Sequence, residues 1–476
     1  MVLDLRSDSV AVISTDLPPL VGDVLVEVER ESGVALHRQV ERSIRDGIRA
    51  GRLPRGTVMP PTRRLATELG ISRGVVIEAY QQLAAEGYLT SRTGGYTRVA
   101  IGPEPALRPV ADGRPQAAEI DFCPCRADGS MFPRGAWLRS MKRALAAADF
   151  GYVGGRGAPA LHEALAAYLN RVRGTSARPG DIVVCTGYAQ GIALIVQVLA
   201  ARGARRVAVE DPSADDDAVP VARAAGLEVV GVPVDDGGVR VDALERLEAD
   251  ALVLTPSHQW PTGAVLSAPS RAAAVRWARE REALVVEDDY DAEYRYDRAP
   301  VGALQGLAPD RVVYAGTASK TLAPGLRLGW LVLPPRLVAP VAEAKALADR
   351  GSPVLDQLAF ADFLERGELD RHLRRMRPVY RRRRDALLAA LGAHLPAFEP
   401  AGVAAGLHLV AHLPPGLDEA TVIAAAARRG VAVHGLRPYR LSHPGRAGLI
   451  FGYATLDEAT IVRGVRRIAR ALEEGA

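Results

Sequence analysis

Lys320 and Arg327 stand seven residues apart in Gly316-Thr317-Ala318-Ser319-Lys320-Thr321-Leu322-Ala323-Pro324-Gly325-Leu326-Arg327-Leu328-Gly329. A lysine amine condenses with an aldehyde to a Schiff base, and the planar fork of an arginine grips a phosphate. The hydroxyls of Thr317 and Ser319 add neutral donors to the same place. Lysine is scarce in this chain: only Lys142, Lys320 and Lys345 occur, within a Lys-plus-Arg total of 60. Upstream, Thr186-Gly187-Tyr188-Ala189-Gln190-Gly191 lies between a β-like run and an apolar helical run. Backbone N–H groups at such a helix start, here those of Tyr188, Ala189 and Gln190, cradle phosphate, although the same glycine turn also serves as a plain tight turn. Glu287-Asp288-Asp289-Tyr290-Asp291-Ala292-Glu293-Tyr294 gathers carboxylates after another apolar run. Read alone, that segment is equally a solvated acidic loop or a metal site.

These groups need a scaffold, and the chain from about Ala118 onward supplies one. Ile182-Val183-Val184, Arg206 to Val209, Leu227 to Val230, Ala251 to Leu254, Ala283 to Val286 and Val312-Val313-Tyr314 read as strands between Ala- and Leu-rich helices. Continuous apolar runs flanked by helices predict a mainly parallel sheet covered on both faces, with ligands at the carboxyl ends of its strands. Ahead of it, Gly102-Pro103-Glu104-Pro105 through Arg114-Pro115-Gln116 reads as a connector. The expected organisation is an N-terminal unit over 22–100, a linker over 101–117 and a large α/β domain over 118–476.

The N-terminal unit has its own pattern. His37 to Ala50 reads as an amphipathic helix with Val40, Ile44 and Ile48 at helical spacing. Pro60-Pro61 fixes an extended entry, Thr62 reads as the N-cap of a short helix closed by Gly70, and Ser72 caps a second helix with Val76, Tyr80 and Leu83 inward. Two helices joined by a tight turn make a helix-turn-helix, and short strands around Thr93-Gly94-Gly95 make a wing. From Leu36 to Ala100 there are eleven arginines against five acids, whereas the whole chain of 476 residues carries only +4. A basic module on a mildly acidic body predicts a nucleic-acid partner for the module alone.

Composition narrows the class further. With 48% hydrophobic residues the chain builds a sizeable core and is not a disordered protein. Cys123, Cys125 and Cys185 make neither a disulfide framework nor a paired zinc site, so no metal is expected and a reducing cytoplasm fits. No signal peptide and no apolar run of membrane-spanning length is visible.

The wording of these motifs goes beyond their chemistry. Gly-x-Leu-Pro-x-Gly, Pro-Thr-Arg-x-Leu-Ala, Leu-Gly-Ile-Ser-Arg and Ala-Tyr-x-x-Leu-x-x-Glu-Gly-Tyr-Leu resemble the winged helix of GntR-type transcription factors. The Lys320 segment resembles the cofactor-anchoring strand and loop of fold-type I aminotransferases, which implies pyridoxal 5′-phosphate (PLP). Thr-Pro-Ser-His-Gln-aromatic-Pro-Thr-Gly and Glu-Asp-Asp-Tyr-Asp complete a resemblance to the MocR subgroup of GntR regulators over essentially the whole chain. That resemblance implies a fold-type I aminotransferase-like α/β domain, used for sensing, behind a winged helix-turn-helix, in a domain-swapped homodimer.

It also implies roles. Lys320 would carry the Schiff base, Arg327 and Thr317 would serve the cofactor phosphate, and Asp288 (or its neighbour Asp289) would hold a proton on the ring nitrogen. Tyr290 would bond the ring oxygen, and Tyr152 would reach into the partner's site. Thr62, Arg63, Ser72, Arg73, Thr93 and Gly94 would meet operator DNA, Ser72 at a phosphate and Arg73 at guanine. Gly74 departs from the usual polar residue and contributes no base contact. Trp260 replaces the family's asparagine, and His258 beside it reads as a turn residue or a base. Ala214 and Asp216 stand where a ring-stacking aromatic and an effector-gripping arginine are usual, with Arg437 a substitute for the latter. The arginines at 374–377 and 381–384 form a solvated helix face or a secondary DNA contact. Two functions stay open: a transcriptional regulator sensing an amine, an amino acid or PLP itself, and a working aminotransferase with a regulatory DNA-binding domain. The losses at Ala214 and Asp216 weigh against turnover.

Overall fold

The computed structural model describes residues 9–13, 24–91, 96–101, 118–213, 218–296 and 301–474, and the chain divides into two compact units, Met1–Pro115 and Gln116–Ala476. The expected linker from residue 102, Thr93 and Gly94 at the expected wing tip, and Ala214 and Asp216 lie outside the described residues.

The first unit opens on an antiparallel hairpin, β1 (Ser9–Ile13) with β2 (Val24–Val28). β1 lies upstream of residue 22, where the sequence reading begins the unit; a five-residue strand carries too little alternation to stand out alone. Helix α1 (Leu36–Arg49) buries Val40, Ile44 and Ile48, the predicted stripe. Helix α2 (Thr62–Leu69) ends at Gly70 in the left-handed conformation, φ 64°. Thr62 is its first helical residue and not its cap, because Pro61 already holds the extended turn at φ −54° and ψ 139°. Ser72 keeps extended cap backbone ahead of α3 (Arg73–Ala85) but makes no side-chain cap bond. Val76, Tyr80 and Leu83 go inward, and the Tyr80 hydroxyl donates to the Pro60 carbonyl at 3.0 Å, tying α3 to the entry of α2. β3 (Leu89–Thr90) and β4 (Arg98–Val99) pair antiparallel as the base of the wing.

The second unit begins with β5 (Ile120–Asp121), followed by an eight-stranded sheet. Its strands are β6 (Ile182–Cys185), β7 (Arg206–Asp211), β8 (Glu228–Asp235), β9 (Gly238–Val239), β10 (Ala251–Leu254), β11 (Leu284–Asp289), β12 (Val312–Thr317) and β13 (Gly329–Val332). They lie in the order β6-β13-β12-β11-β10-β7-β8-β9. The six predicted runs are all strands here; β9, and β13, which is antiparallel to both β12 and β6, are additions. Side chains alternate between two cores. Val183, Val313 and Leu331 pack with the helix Tyr188–Ala201, whereas Val184, Tyr314 and Val332 pack with the helices Pro159–Arg173 and Val354–Glu365. Burial on both faces explains why these strands read as unbroken apolar runs, each buried Val or Leu contributing about 1.5–3 kcal/mol.

The remaining strands are β14 (Glu399–Ala401), β15 (His408–His412), β16 (Val431–Ala432), β17 (His434–Gly435) and β18 (Gly448–Gly452). β14-β15-β18-β17 form an antiparallel sheet, and β16 pairs in parallel with β5. Among the described residues, no helix is long and apolar enough to cross a membrane.

Candidate functional site

The carboxyl ends of β6, β7, β10, β11 and β12 share one edge of the sheet, and a cavity of ≈ 380 Å³ opens there. Glu210, Thr255, Asp288, Thr317 and Lys320, each at or just beyond a strand end, line it. These residues stand at the carboxyl edge of the sheet, where open α/β sheets bind ligands.

One side of the cavity is a cup. Gly187, at φ 89°, precedes the helix Tyr188–Ala201, and Tyr188 and Ala189 line the cavity. A Cβ on Gly187 would sit 3.2 Å from the guanidinium nitrogens of Arg327, and one on Gly329 would sit 2.7 Å from the Gly187 Cα. Two glycines are thus what lets β13, the helix start and Arg327 converge. Arg327 has left-handed backbone, φ 49°, and its Nη2 donates to the Thr186 carbonyl at 2.7 Å. The Thr317 and Ser319 hydroxyls are 3.0 Å apart, both buried and both lining the cavity. Gln190 was expected to act through its backbone N–H, and its side chain does not line the cavity. Its side chain turns away, accepting from the Thr186 N–H at 2.9 Å and donating to Asp349 at 2.8 Å, because fully buried Lys345 holds Asp349 there at 2.6 Å. Any role for Gln190 in the cup is through its backbone.

Across the cavity, strand alternation separates the two adjacent aspartates. Asp288 lines the cavity. Asp289 points the other way into a buried pair with Arg173, Nε to Oδ2 at 2.7 Å and Nη2 to Oδ1 at 3.1 Å, and accepts the Tyr314 hydroxyl at 2.8 Å. Burial opposes the Arg173 charge, but Asp289 in contact raises its pKa above the ordinary value. Of the two candidates, then, only Asp288 faces the cavity. Tyr290 lines the cavity, but its hydroxyl donates to the His258 carbonyl at 2.9 Å, so the bond it was expected to give a ring oxygen is already placed elsewhere. His258 is buried against Asp291, Nδ1 to Oδ2 at 3.0 Å, which favours the structural reading over a base. Trp260 meets Tyr439 edge-on, 5.3 Å between centroids at 88°, and both line the cavity.

Besides Gln190, two expected residues do not line it. Arg437 is exposed, because its backbone N–H is tied to Glu419 at 2.8 Å in a short helical turn and the side chain projects outward. Tyr152 is 93% exposed. Sequence reasoning also missed several lining groups: Glu210, Thr255, Tyr439, His434 and the pair Cys123 and Cys125. Cys125 carries left-handed backbone, φ 53°, and burial pushes its thiol well above the ordinary range. The available signal was position, since Glu210 and Thr255 lie at strand ends and Cys-Pro-Cys begins two residues after β5.

Glu210 is 2% exposed; burial pushes its carboxyl up to about 7, against the pull of hydrogen bonds from Thr255 and Gln259. A folded-state pKa above the usual 4.5 means that this contribution to stability is complete below about pH 4.5 and is lost as pH rises through about 7. The loss is on the order of 2–3 kcal/mol. Glu210→Gln, whose amide oxygen still accepts from Thr255, is expected to flatten the fall in unfolding free energy between pH 5 and pH 8 by about that amount. Equal slopes in denaturant titrations of the two proteins would remove Glu210 as the cause.

In the first unit Arg63, Ser72 and Arg73 are exposed together at the starts of α2 and α3, and Arg73 Nε donates to the Thr62 hydroxyl at 3.4 Å. Neither Arg63 nor Arg73 has a carboxylate partner among the described residues, which leaves both forks available to phosphates or bases.

The cavity fits a phosphorylated pyridine aldehyde: the glycine cup and Arg327 suit the phosphate, Lys320 the aldehyde and Asp288 a protonated ring nitrogen. Comparison with known proteins runs in the same direction. Residues 126–468 match the family described as aminotransferase class I and II, and residues 36–99 match the bacterial regulatory proteins of the gntR family. The chain is 33% identical to the probable rhizopine catabolism regulatory protein MocR of Rhizobium meliloti, over 94% of this chain and 96% of that one. It is 31% identical to the HTH-type pyridoxine biosynthesis transcriptional regulator PdxR of Corynebacterium glutamicum, over 96% and 100%. Among solved structures, LysN, the α-aminoadipate aminotransferase of Thermus thermophilus, complexed with N-(5′-phosphopyridoxyl)-L-leucine, superimposes with a TM-score of 0.68 at 29% identity, covering 75% of this chain and 92% of that one.

Proposed function

The chain belongs to the MocR subfamily of GntR-type transcriptional regulators, and from that membership we propose that it binds operator DNA through Arg63 and Arg73 and senses a primary amine, or PLP itself, at Lys320. Its cofactor is pyridoxal 5′-phosphate. When bound, PLP supplies an aldehyde that captures amines and a ring that withdraws electrons. The observation that carries the reading is the convergence of Lys320, Asp288 and the Arg327–Gly187 cup on one cavity, in a chain that also presents a basic helix-turn-helix.

Each residue then has a task. Arg327, the Thr317 and Ser319 hydroxyls and the N–H groups of Tyr188 and Ala189 hold the phosphate, as a helix start does. Asp288 holds a proton at the ring nitrogen. Lys320 is tied in one state and a free ammonium in the other, so its charge and position change with the effector. An effector shifts operator affinity only by binding those two states unequally. A homodimer fits the exposed Leu138, Leu145, Phe150, Tyr152 and Leu347, apolar side chains that a lone chain leaves in water. A working aminotransferase is the second reading, favoured by the retention of Lys320, Asp288 and Arg327 in one cavity.

Operator binding by full-length protein is expected to weaken by about 1–3 kcal/mol for Arg63→Ala and for Arg73→Ala, and to fall steeply with salt. A panel of primary amines is expected to change both the visible spectrum and operator affinity. Multiple-turnover keto-acid production at about 1 per second or faster, with no amine effect on operator binding, would favour the enzyme instead.

A further inference from the structure

Asp121, Cys123 and His434 have no task in the scheme above, yet the fold brings them to one place. β5 and β16 pair in parallel with Ala432 opposite Asp121, and the ladder continues through the Phe122 N–H to the Ala432 carbonyl at 3.0 Å. Alternation then sorts the side chains. Ile120, Phe122, Val431 and Val433 are all buried in the core on one face. Asp121 and Cys123 along β5 and its extension, and Ala432 in β16 with His434 at the start of β17, are therefore left on the other. One donor atom from each of Asp121, Cys123 and His434 lies within 4.8 Å of the other two, and His434 Nε2 is 3.9 Å from Asp121 Oδ1. That Oδ1 is shielded from solvent but accepts no hydrogen bond, an unusual state for a carboxylate oxygen.

We infer that Asp121, Cys123 and His434 form a binding site for a divalent transition-metal ion of the zinc class at the rim of the cofactor cavity. Sulfur, imidazole nitrogen and carboxylate oxygen are the ligand types zinc takes, and at its usual bond lengths tetrahedral ligand atoms stand about 3.5 Å apart. The observed separations need only small side-chain rotations to reach this, and the Asp121 and His434 side chains are 46% and 41% exposed. A thiolate and a carboxylate balance the 2+ charge, the thiol proton passing to solvent as the metal–sulfur bond forms. Three protein ligands leave a fourth position open. Cys123 and His434 both line the cavity, so that position faces the same space as Lys320. The second His-containing cluster, His258, Asp291 and His408, is less suited. His408 already uses both ring nitrogens, Nε2 toward the Pro261 carbonyl and Nδ1 toward Cys125, and His258 Nδ1 is held by Asp291.

The test dialyses full-length, cofactor-loaded protein against micromolar free Zn²⁺ and counts bound metal by emission spectrometry. The wild-type protein is expected to retain one zinc per chain more than Cys123→Ser or His434→Gln, each of which weakens binding at least about tenfold. Asp121→Asn is expected to weaken it less. Circular dichroism and the visible cofactor band show which variants are folded, and Asp121→Asn with His434→Gln, both on part-exposed side chains, carry the test if Cys123→Ser is not. In parallel, Zn²⁺ is expected to slow alkylation of Cys123 by iodoacetamide at least tenfold, followed by peptide mass. Zinc uptake equal in wild type and folded variants, or a Cys123 alkylation rate indifferent to Zn²⁺, overturns the site.

Discussion

Lys320→Ala is expected to abolish the visible absorbance that borohydride bleaches in the wild-type protein. The amine is the only lysine lining the cavity among the described residues, facing Asp288 across a space closed on one side by the Arg327 cup. Without it the phosphate cup remains, so cofactor can still bind, but it no longer becomes fixed to the chain on reduction. The measurement is peptide mass after borohydride treatment. A cofactor-sized increment belongs on the Lys320 peptide of the wild-type protein and on no peptide of the variant. An increment that survives Lys320→Ala on another lysine refutes the assignment, and unchanged absorbance does the same without mass data. The effect is all-or-none because Lys142 and Lys345 do not line the cavity, and Lys345 is fully buried against Asp349.

The largest expected loss of stability comes from a pair outside the cavity. Arg173 is 1% exposed and donates to both oxygens of Asp289, to the Ser257 hydroxyl at 2.8 Å and to the Val301 carbonyl at 2.9 Å. Arg173→Ala strands a buried carboxylate with the Tyr314 hydroxyl as its remaining partner. Breaking one side of such a pair costs about 3–5 kcal/mol. Denaturant unfolding of the full-length protein is expected to show that loss. The double change Arg173→Ala with Asp289→Asn is expected to recover part of it, since the orphaned charge is gone. A loss below about 1 kcal/mol, the range of exposed pairs, would show that water reaches Asp289. Because Asp289 sets the end of β11, the single variant is also expected to weaken cofactor binding through displacement of Asp288.

Those two arginine and lysine sites were not equally visible before the fold was known. Lys320 announces itself by rarity and by the hydroxyls and glycines around it, all within fourteen residues of chain. Arg173 has no local signal, because its partner lies 116 positions away and only the packing of the helix Pro159–Arg173 against the sheet joins them. The same division holds for whole elements. The predicted strands of the large domain are long apolar runs, whereas β1 and β13 are recognised by their partners and not by their own pattern. Alignment favoured Asp288 and left Asp289 open, and alternation along β11 turns the two to opposite faces. Arg437 was named from loop position, but its backbone N–H is anchored to Glu419 in a short helical turn that leaves the side chain in solvent. Trp260 was visible as a departure, yet its contact with Tyr439 across 179 positions was not.

The peptide group of Thr186 is held from both sides. Gln190, itself fixed by Asp349 and Lys345, takes its N–H, and Arg327 takes its carbonyl. The anion-binding loop is therefore in its working shape before any anion arrives, and little conformational freedom is left to lose on binding. In kinetic terms, a rigid cup of this kind expresses its affinity as a long residence time more than as fast capture. A phosphate that arrives or leaves here, whether carried by a fixed cofactor or by the signal itself, then meets a site that needs no rearrangement.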